Sequence, residues 1–209
     1  MYNPAHFAIT ESESLHRIIR NNPLGILVTS TSSGLDANHI PFEFDPAAGQ
    51  FGTLTGHVAR ANPVWQLALD DAEVLVIFRG NEGYISPNWY PSKHETHRLV
   101  PTWNYEVVHA YCKLTIRDEE KFTRGVVARL TRRHEAQESK PWKMGDSAPE
   151  FIDGMMKAIV GIELSIIRLE GKAKLSQNRD PGDLQGAVDE LRKRGHGPLA
   201  GAMERHSTL

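Results

Sequence analysis

Six polar residues near the ends of the early predicted strands could do chemistry: His39, Thr53, Thr55, His57, Arg60 and Asn62. Thr53, Thr55 and His57 are spaced by two, so they share one face of a strand. Arg60 follows just past that strand's end. Asn62-Pro63 reads as a helix start, with Asn as cap and Pro at the first helical position. The free N–H groups of such a start favour an anion. Hydroxyls, an imidazole, a guanidinium and a helix start between residues 53 and 62 describe a phosphate pocket. The same residues also serve as ordinary strand threonines and a capping Asn, so both readings stand at this point.

The stretch from Tyr84 to Tyr111 carries a second kind of chemistry. It holds Tyr84, Trp89, Tyr90, Trp103, Tyr105 and Tyr111, with His94, His97 and His109 between them. Pro87, Pro91 and Pro101 exclude an uninterrupted helix or strand there. The segments on either side, Val74 to Phe78 with Tyr84-Ile85 and Thr102 to Ile116, read as strands. An ordered loop of about fifteen residues therefore joins them, because disordered segments are poor in aromatics and long ordered loops serve function. It either walls a planar ligand or covers the core or a subunit contact.

Other chemistries find no support. No glycine-rich nucleotide fingerprint follows any strand. His94-Glu-Thr-His97 places its second His at i+3 between prolines, unlike a zinc-protease helix; these histidines and His109 are solvated loop residues or, alternatively, metal ligands. Cys112 is the single cysteine, which excludes an intrachain disulfide and points to small buried packing. A chain of 209 residues with net charge −2 has no general electrostatic attraction to DNA or anionic membrane. The first residues have neither a basic start nor an apolar run, so a cytoplasmic protein is expected.

Periodicity supplies the elements that must position these residues. Leu15, Ile18 and Ile19 form a helical stripe behind a capping box at Thr10-Glu-Ser-Glu13, and Asn21-Asn22-Pro23 stops it. Leu24 to Ser30 reads as a buried strand. His39 to Phe44 alternates, with Ile40, Phe42 and Phe44 on one face and His39 and Glu43 on the other. Phe51 to Val58 is the next strand, followed by a short helix carrying Trp65, Leu67 and Leu69. Asp118 to Glu138 reads as a long helix with Phe122, Val126, Val127 and Leu130 inward. Arg129, Arg132, Arg133 and His134 near its end suit the helix dipole and make a solvated basic face or a phosphate contact. Ser147-Ala-Pro-Glu150 is a second capping box. Val160 to Leu175 is a long final strand, and Asp183 to Arg194 a last helix closed by Gly195, with a frayed tail beyond. Closely spaced antiparallel strands with one short helix among them predict a mainly β, α+β fold, a barrel or strongly curled sheet.

The chain resembles the PaiB family, FMN-binding negative transcriptional regulators among the split-barrel flavin proteins. The resemblance rests on Met1-Tyr-Asn-Pro4, His39-Ile-Pro-Phe42, Gly56-His-Val-Ala-Arg-Ala-Asn-Pro63, Tyr84-Ile-Ser-Pro-Asn-Trp-Tyr90, Val100-Pro-Thr-Trp-Asn-Tyr105 and Lys174-Leu-Ser-Gln-Asn178. It implies a split β-barrel domain over 1–180, with a C-terminal helix and tail over 181–209. It further implies a homodimer that holds FMN at the subunit interface. His39 and the Thr53–Thr55 strand would line the flavin, and His57, Arg60 and Asn62 would reach its phosphate. Trp89 and Trp103, from the same or the partner subunit, would cover the ring system, and Lys174, Ser176 and Gln177 would complete the polar rim. The expected function is a flavin-binding regulator or sensor. The alternatives are an FMN-dependent oxidoreductase on a small metabolite, or a split barrel that binds haem or another planar ligand. Near-neutral charge and the missing DNA-reading motif favour indirect action over direct DNA binding.

Overall fold

The computed structural model describes residues 1–67 and 72–207, apart from the side chains of His94 and Thr96. After a 3-10 turn (Ala5–Phe7) come β1 (Ala8–Ile9), α1 (Ser12–Asn21), β2 (Leu24–Thr31), β3 (Gly34–Pro41), β4 (Glu43–Asp45), β5 (Thr53–Ala59) and α2 (Val64–Leu67). β6 (Glu73–Ile85) then leads through a 3-10 turn (Pro87–Trp89) and α3 (Lys93–Thr96) to β7 (Thr102–Arg117) and α4 (Glu120–Glu135). A 3-10 turn (Met144–Asp146), α5 (Pro149–Lys157), β8 (Ile159–Lys174), α6 (Pro181–Lys193) and α7 (Gly197–Ser207) complete the chain. Leu69, expected on the helix after Asn62, lies outside the described residues. No helix among them is long and apolar enough to cross a membrane.

The strands form one eight-stranded sheet in the order β3-β2-β6-β7-β8-β5-β4, with β1 paired to β8. The registered pairs are antiparallel, for example Ile26↔His39 and Thr55↔Glu163. Residues 86–101 are the predicted loop between two long strands, here with two short helical turns. The expected strand from His39 to Phe44 breaks at Phe42, whose amide donates to the Pro23 carbonyl at 2.8 Å, one step beyond the last registered pair of β2 and β3. Pro41, which has no N–H to give, precedes that corner. The capping box expected at Ser147-Ala-Pro-Glu150 is absent. At the start of α1 the Glu11 carbonyl accepts from Ser14 and Leu15. α5 is preceded by Ala148, whose methyl makes no capping hydrogen bond.

The chain divides into two compact units. The first comprises Met1–Ile18, Arg79–Val108 and Glu170–Leu209. Its core includes Ile85, Tyr90, Leu175, Leu191 and Met203. The tail beyond Gly195 is not frayed: it forms α7, which buries Leu199, Ala200, Ala202 and Met203. The sequence signal was obscured by glycines and a proline, but small residues suit close helix packing, and burial of the apolar side chains supplies the stability.

The second unit comprises Ile19–Phe78 and His109–Leu169. Here β3, at one end of the strand order, comes against β5 near the other end, so the sheet curls without hydrogen-bonding shut. Phe42 fills the curl. A Cβ on Gly25 would meet its ring at 2.9 Å, and one on Gly56 would meet it at 3.1 Å. Glycine on two strands is what lets a phenyl ring pack between them. On β5, Leu54, Gly56 and Val58 point into the core, and Thr53, Thr55 and His57 lie on the opposite, half-exposed face.

Candidate functional site

The β5 face is partly covered by α4, which turns Thr123, Val126 and Leu130 inward. Between helix and sheet lies a cavity of about 830 Å³ whose lining includes Thr53, Thr55, Glu43, Glu163, Arg117 and Arg129. Arg129 approaches the Thr55 hydroxyl at 3.5 Å, so this arginine turns toward the sheet. Arg133 pairs with Glu43 at 3.5 Å and donates to the Arg20 carbonyl. Arg117 holds Glu163 at 3.0 Å. Cations and carboxylates are therefore interleaved here, and the cavity is not a purely cationic anion trap.

His57 sits beside Gly161, where a Cβ would clash with the Arg117 carbonyl at 2.6 Å. Its Nδ1 is buried with no hydrogen-bond partner. Burial lowers its pKa, so the imidazole is neutral at pH 7. A buried nitrogen without a partner calls for an explanation, and a ligand is one. Thr53 donates its hydroxyl to the Ala48 carbonyl at 2.9 Å and keeps acceptor capacity.

The rest of the expected phosphate set is placed differently. Arg60 bonds Asp118 with both terminal nitrogens, at 3.0 and 2.5 Å, and donates to the carbonyls of Lys157 and Ile159. This pair is exposed, and it holds the guanidinium pKa up and the Asp118 pKa down through their shared hydrogen bonds. Asp70, considered as a partner for Arg60, lies outside the described residues. Asn62 caps α2 as expected, accepting from the Val64 amide at 3.0 Å, and its amide nitrogen donates to Asn38 at 2.6 Å. His39 is exposed on the edge strand β3.

The first unit holds the remaining expected residues. Trp89 is half-buried against the core, and Trp103 is 51% exposed. Tyr84 joins them, edge-on to Trp89 at 6.5 Å and to Trp103 at 6.4 Å. Tyr90 is fully buried and belongs to the core. Its hydroxyl meets Ser176 at 3.3 Å, and Ser176 accepts from Asn104 at 2.9 Å. Gln177 bonds the Leu175 amide and the Ala173 and His6 carbonyls. Ser176 and Gln177 are thus committed to locking the turn after β8. Lys174 stands at the rim, donating to the Thr102 hydroxyl and to the Trp103 carbonyl at 2.7 Å.

Among the described residues no group of three or more His, Cys, Asp or Glu could hold a metal ion; the His94 side chain lies outside them. Cys112 is buried, and burial first, then the charge of Glu73, pushes its pKa to about 12. It is packing, as its position on a strand suggested. The sequence reading left Arg129 open between a solvated face and a phosphate contact, and it missed Lys172 and Arg179. The Lys-x-Lys spacing on β8 was the available signal for Lys172.

Comparison with known proteins gives this arrangement its class. Residues 1–168 match the family described as "Putative FMN-binding domain", and the chain belongs to that family. Its fold is that of the split-barrel flavoproteins. It superimposes on the flavocytochrome Anf3 from Azotobacter vinelandii with a TM-score of 0.56 at 14% identity, covering 80% of this chain and 69% of that one. The FAD and heme binding protein from Mycobacterium smegmatis gives 0.57 at 17% identity, covering 80% and 73%.

More narrowly, the chain is a member of the PaiB family. "Protease synthase and sporulation protein PAI 2" of Bacillus subtilis (strain 168) is 30% identical over 191 residues, 91% of this chain and 89% of that protein. An uncharacterized protein of Emericella nidulans is 34% identical over 224 residues, 90% of this chain and 89% of that one. FMN is the cofactor of the family. The donors present fit it in part: two hydroxyls and an unpaired imidazole nitrogen on one strand face suit a flavin's polar groups. The phosphate's need for a cation is not met by Arg60 while it holds Asp118.

Proposed function

We propose that the chain is a cytoplasmic homodimer that binds FMN and works as a flavin-binding regulator or sensor acting indirectly. The observation that carries this reading is the β5 face, where Thr53 and Thr55 stand beside an imidazole whose Nδ1 has no protein partner. In this reading His39, Thr53 and Thr55 line the flavin, while His57, Arg60 and Asn62 serve its phosphate. Arg60 exchanges Asp118 for the phosphate dianion, a cheap exchange because exposed ion pairs contribute little. Trp89 and Trp103 of the partner subunit cover the ring system. Lys174 sets the polar rim, supported by the turn that Ser176 and Gln177 lock.

The charge distribution supports indirect action. The net charge is −2, and Arg129 and Arg133 on α4 face Thr55 and Glu43 rather than forming a free basic stripe. A bound flavin supplies hydride and electron chemistry, so an oxidoreductase role on a small metabolite is the second reading, favoured by the unpaired cations at the end of β8. The test is the visible spectrum of the purified protein before and after FMN is added. Flavin absorption that stays with the protein through gel filtration is expected. Complete loss of the flavin on the column would overturn the proposal.

A further inference from the structure

The end of β8 and the turn after it carry three cations that have no carboxylate partner among the described residues. Lys172 and Lys174 are two apart on the strand and share a face. Arg179 is brought back toward them by a turn at Ser176, which has a φ of 65° and accepts the Arg179 amide at 3.0 Å. Lys172 is only 7% exposed. Its ammonium donates to the Tyr2 carbonyl at 3.0 Å and lies 5.4, 6.0 and 5.5 Å from the ring centres of Tyr2, Phe7 and Tyr105. Carbonyl and ring faces attract a cation, but they do not neutralise it.

Buried charges are ordinarily paired. The buried carboxylate of Glu106 obeys that rule by pairing with Arg17. Lys174 uses two of its three N–H groups, on Thr102 and Trp103, and keeps one. The Arg179 guanidinium stands 5.5 Å from the Tyr90 ring and, among the described residues, spends no donor on a protein acceptor. Burial, then the positive charges of Lys172 and Arg179, lowers the Lys174 pKa. Beside Lys174, whose ammonium is held by the Trp103 carbonyl, Trp103 and Tyr84 expose flat apolar rings, 51% and 48% accessible.

We propose that Lys172, Lys174 and Arg179 form an oxyanion site for the phosphate or carboxylate of a small planar molecule whose ring rests on Trp103. One anion relieves the repulsion among three charges and accepts the free donors of Lys174 and Arg179. The rings supply apolar and stacking contact to the remainder of the ligand. This chemistry suits the phosphate of the flavin itself or a separate planar acid, the class to which a substrate of a flavin enzyme could belong. The site is argued from the first unit alone and does not depend on FMN occupying the β5 face.

Calorimetric titration of inorganic phosphate, benzoate, FMN and riboflavin into the full-length protein separates the sources. The variants are Lys174→Gln, which keeps a donor for Thr102 and Trp103, and Arg179→Ala. Both avoid the buried Lys172, and unfolding midpoints confirm that they are folded. Phosphate or benzoate weakened about 10- to 150-fold in both variants, with FMN unchanged, supports a site for a separate acid. FMN weakened by that factor, with riboflavin unchanged, supports capture of the flavin phosphate. Equal affinity of both variants and wild type for every probe overturns the site, as does wild-type protein that binds no phosphate, benzoate or FMN. Wild-type protein that binds phosphate but neither flavin would remove the FMN proposal and leave this site standing.

Discussion

Glu106 offers the sharpest test of the first unit's electrostatics. It is 2% exposed and sits where Gly80 allows close approach, since a Cβ on Gly80 would fall 2.9 Å from its own Cβ. Arg17 reaches Oε1 at 3.2 Å, Asn81 reaches Oε2 at 2.8 Å, and His206 of α7 stands 3.8 Å from Oε1. Burial alone would raise the carboxyl pKa. The nearby His206 imidazole and the hydrogen bond of Asn81, with the charge and hydrogen bond of Arg17, outweigh it and bring the value from 4.5 to about 2. Between those two pH values the unfolded chain binds a proton that the folded chain does not, so stability falls as pH falls. The contribution is fully present above pH 4.5 and gone below about pH 2. A gap of about 2.5 pH units at 1.36 kcal/mol each amounts to roughly 3 kcal/mol. Glu106→Gln keeps the shape and removes the charge. The variant should be less stable than wild type by about that amount at pH 7, with the difference shrinking as pH drops. Urea unfolding of both proteins at pH 7, 4 and 3 measures it. A stability difference that stays constant across the three pH values would refute the reasoning, because then no titration is linked to this carboxylate.

Arg60→Ala should weaken FMN about 10- to 150-fold and leave riboflavin unchanged, as only FMN carries the phosphate dianion; equal weakening would place the phosphate elsewhere. Trp103→Ala should weaken both flavins alike, since stacking engages the ring system, and a loss confined to FMN would contradict this. Sedimentation at micromolar concentration should show a dimer, and a lone 23.4 kDa species would remove the proposed interface. Met203→Ala should cost about 2–5 kcal/mol in urea unfolding, because Met203 is fully buried within α7; a neutral result would mean that α7 does not share the unit's cooperative core.

Features of the chain with a short-range physical cause were legible in the sequence. A strand's period of two put Thr53, Thr55 and His57 on one face and Leu54, Gly56 and Val58 on the other, as the burial pattern shows. Prolines marked the loop between β6 and β7, and Gly195, with a φ of 80°, ends the helix before α7. The Asn62 cap of α2 depends on an amide two residues away and was equally readable. Family motifs carried the cofactor and the split-barrel fold, which periodicity had narrowed only to a barrel or curled sheet.

What tertiary structure decided was the partner of each polar group. Arg60 meets Asp118, 58 residues away, and Ser176 is consumed by Tyr90 and Asn104, 86 and 72 residues away. A hydrogen bond or ion pair acts only within about 4 Å, and no local pattern encodes which distant residues will come that close. The same reason hid Lys172 and Arg179 beside Lys174, because a charge lacking a partner can be recognised only once every neighbour is in place.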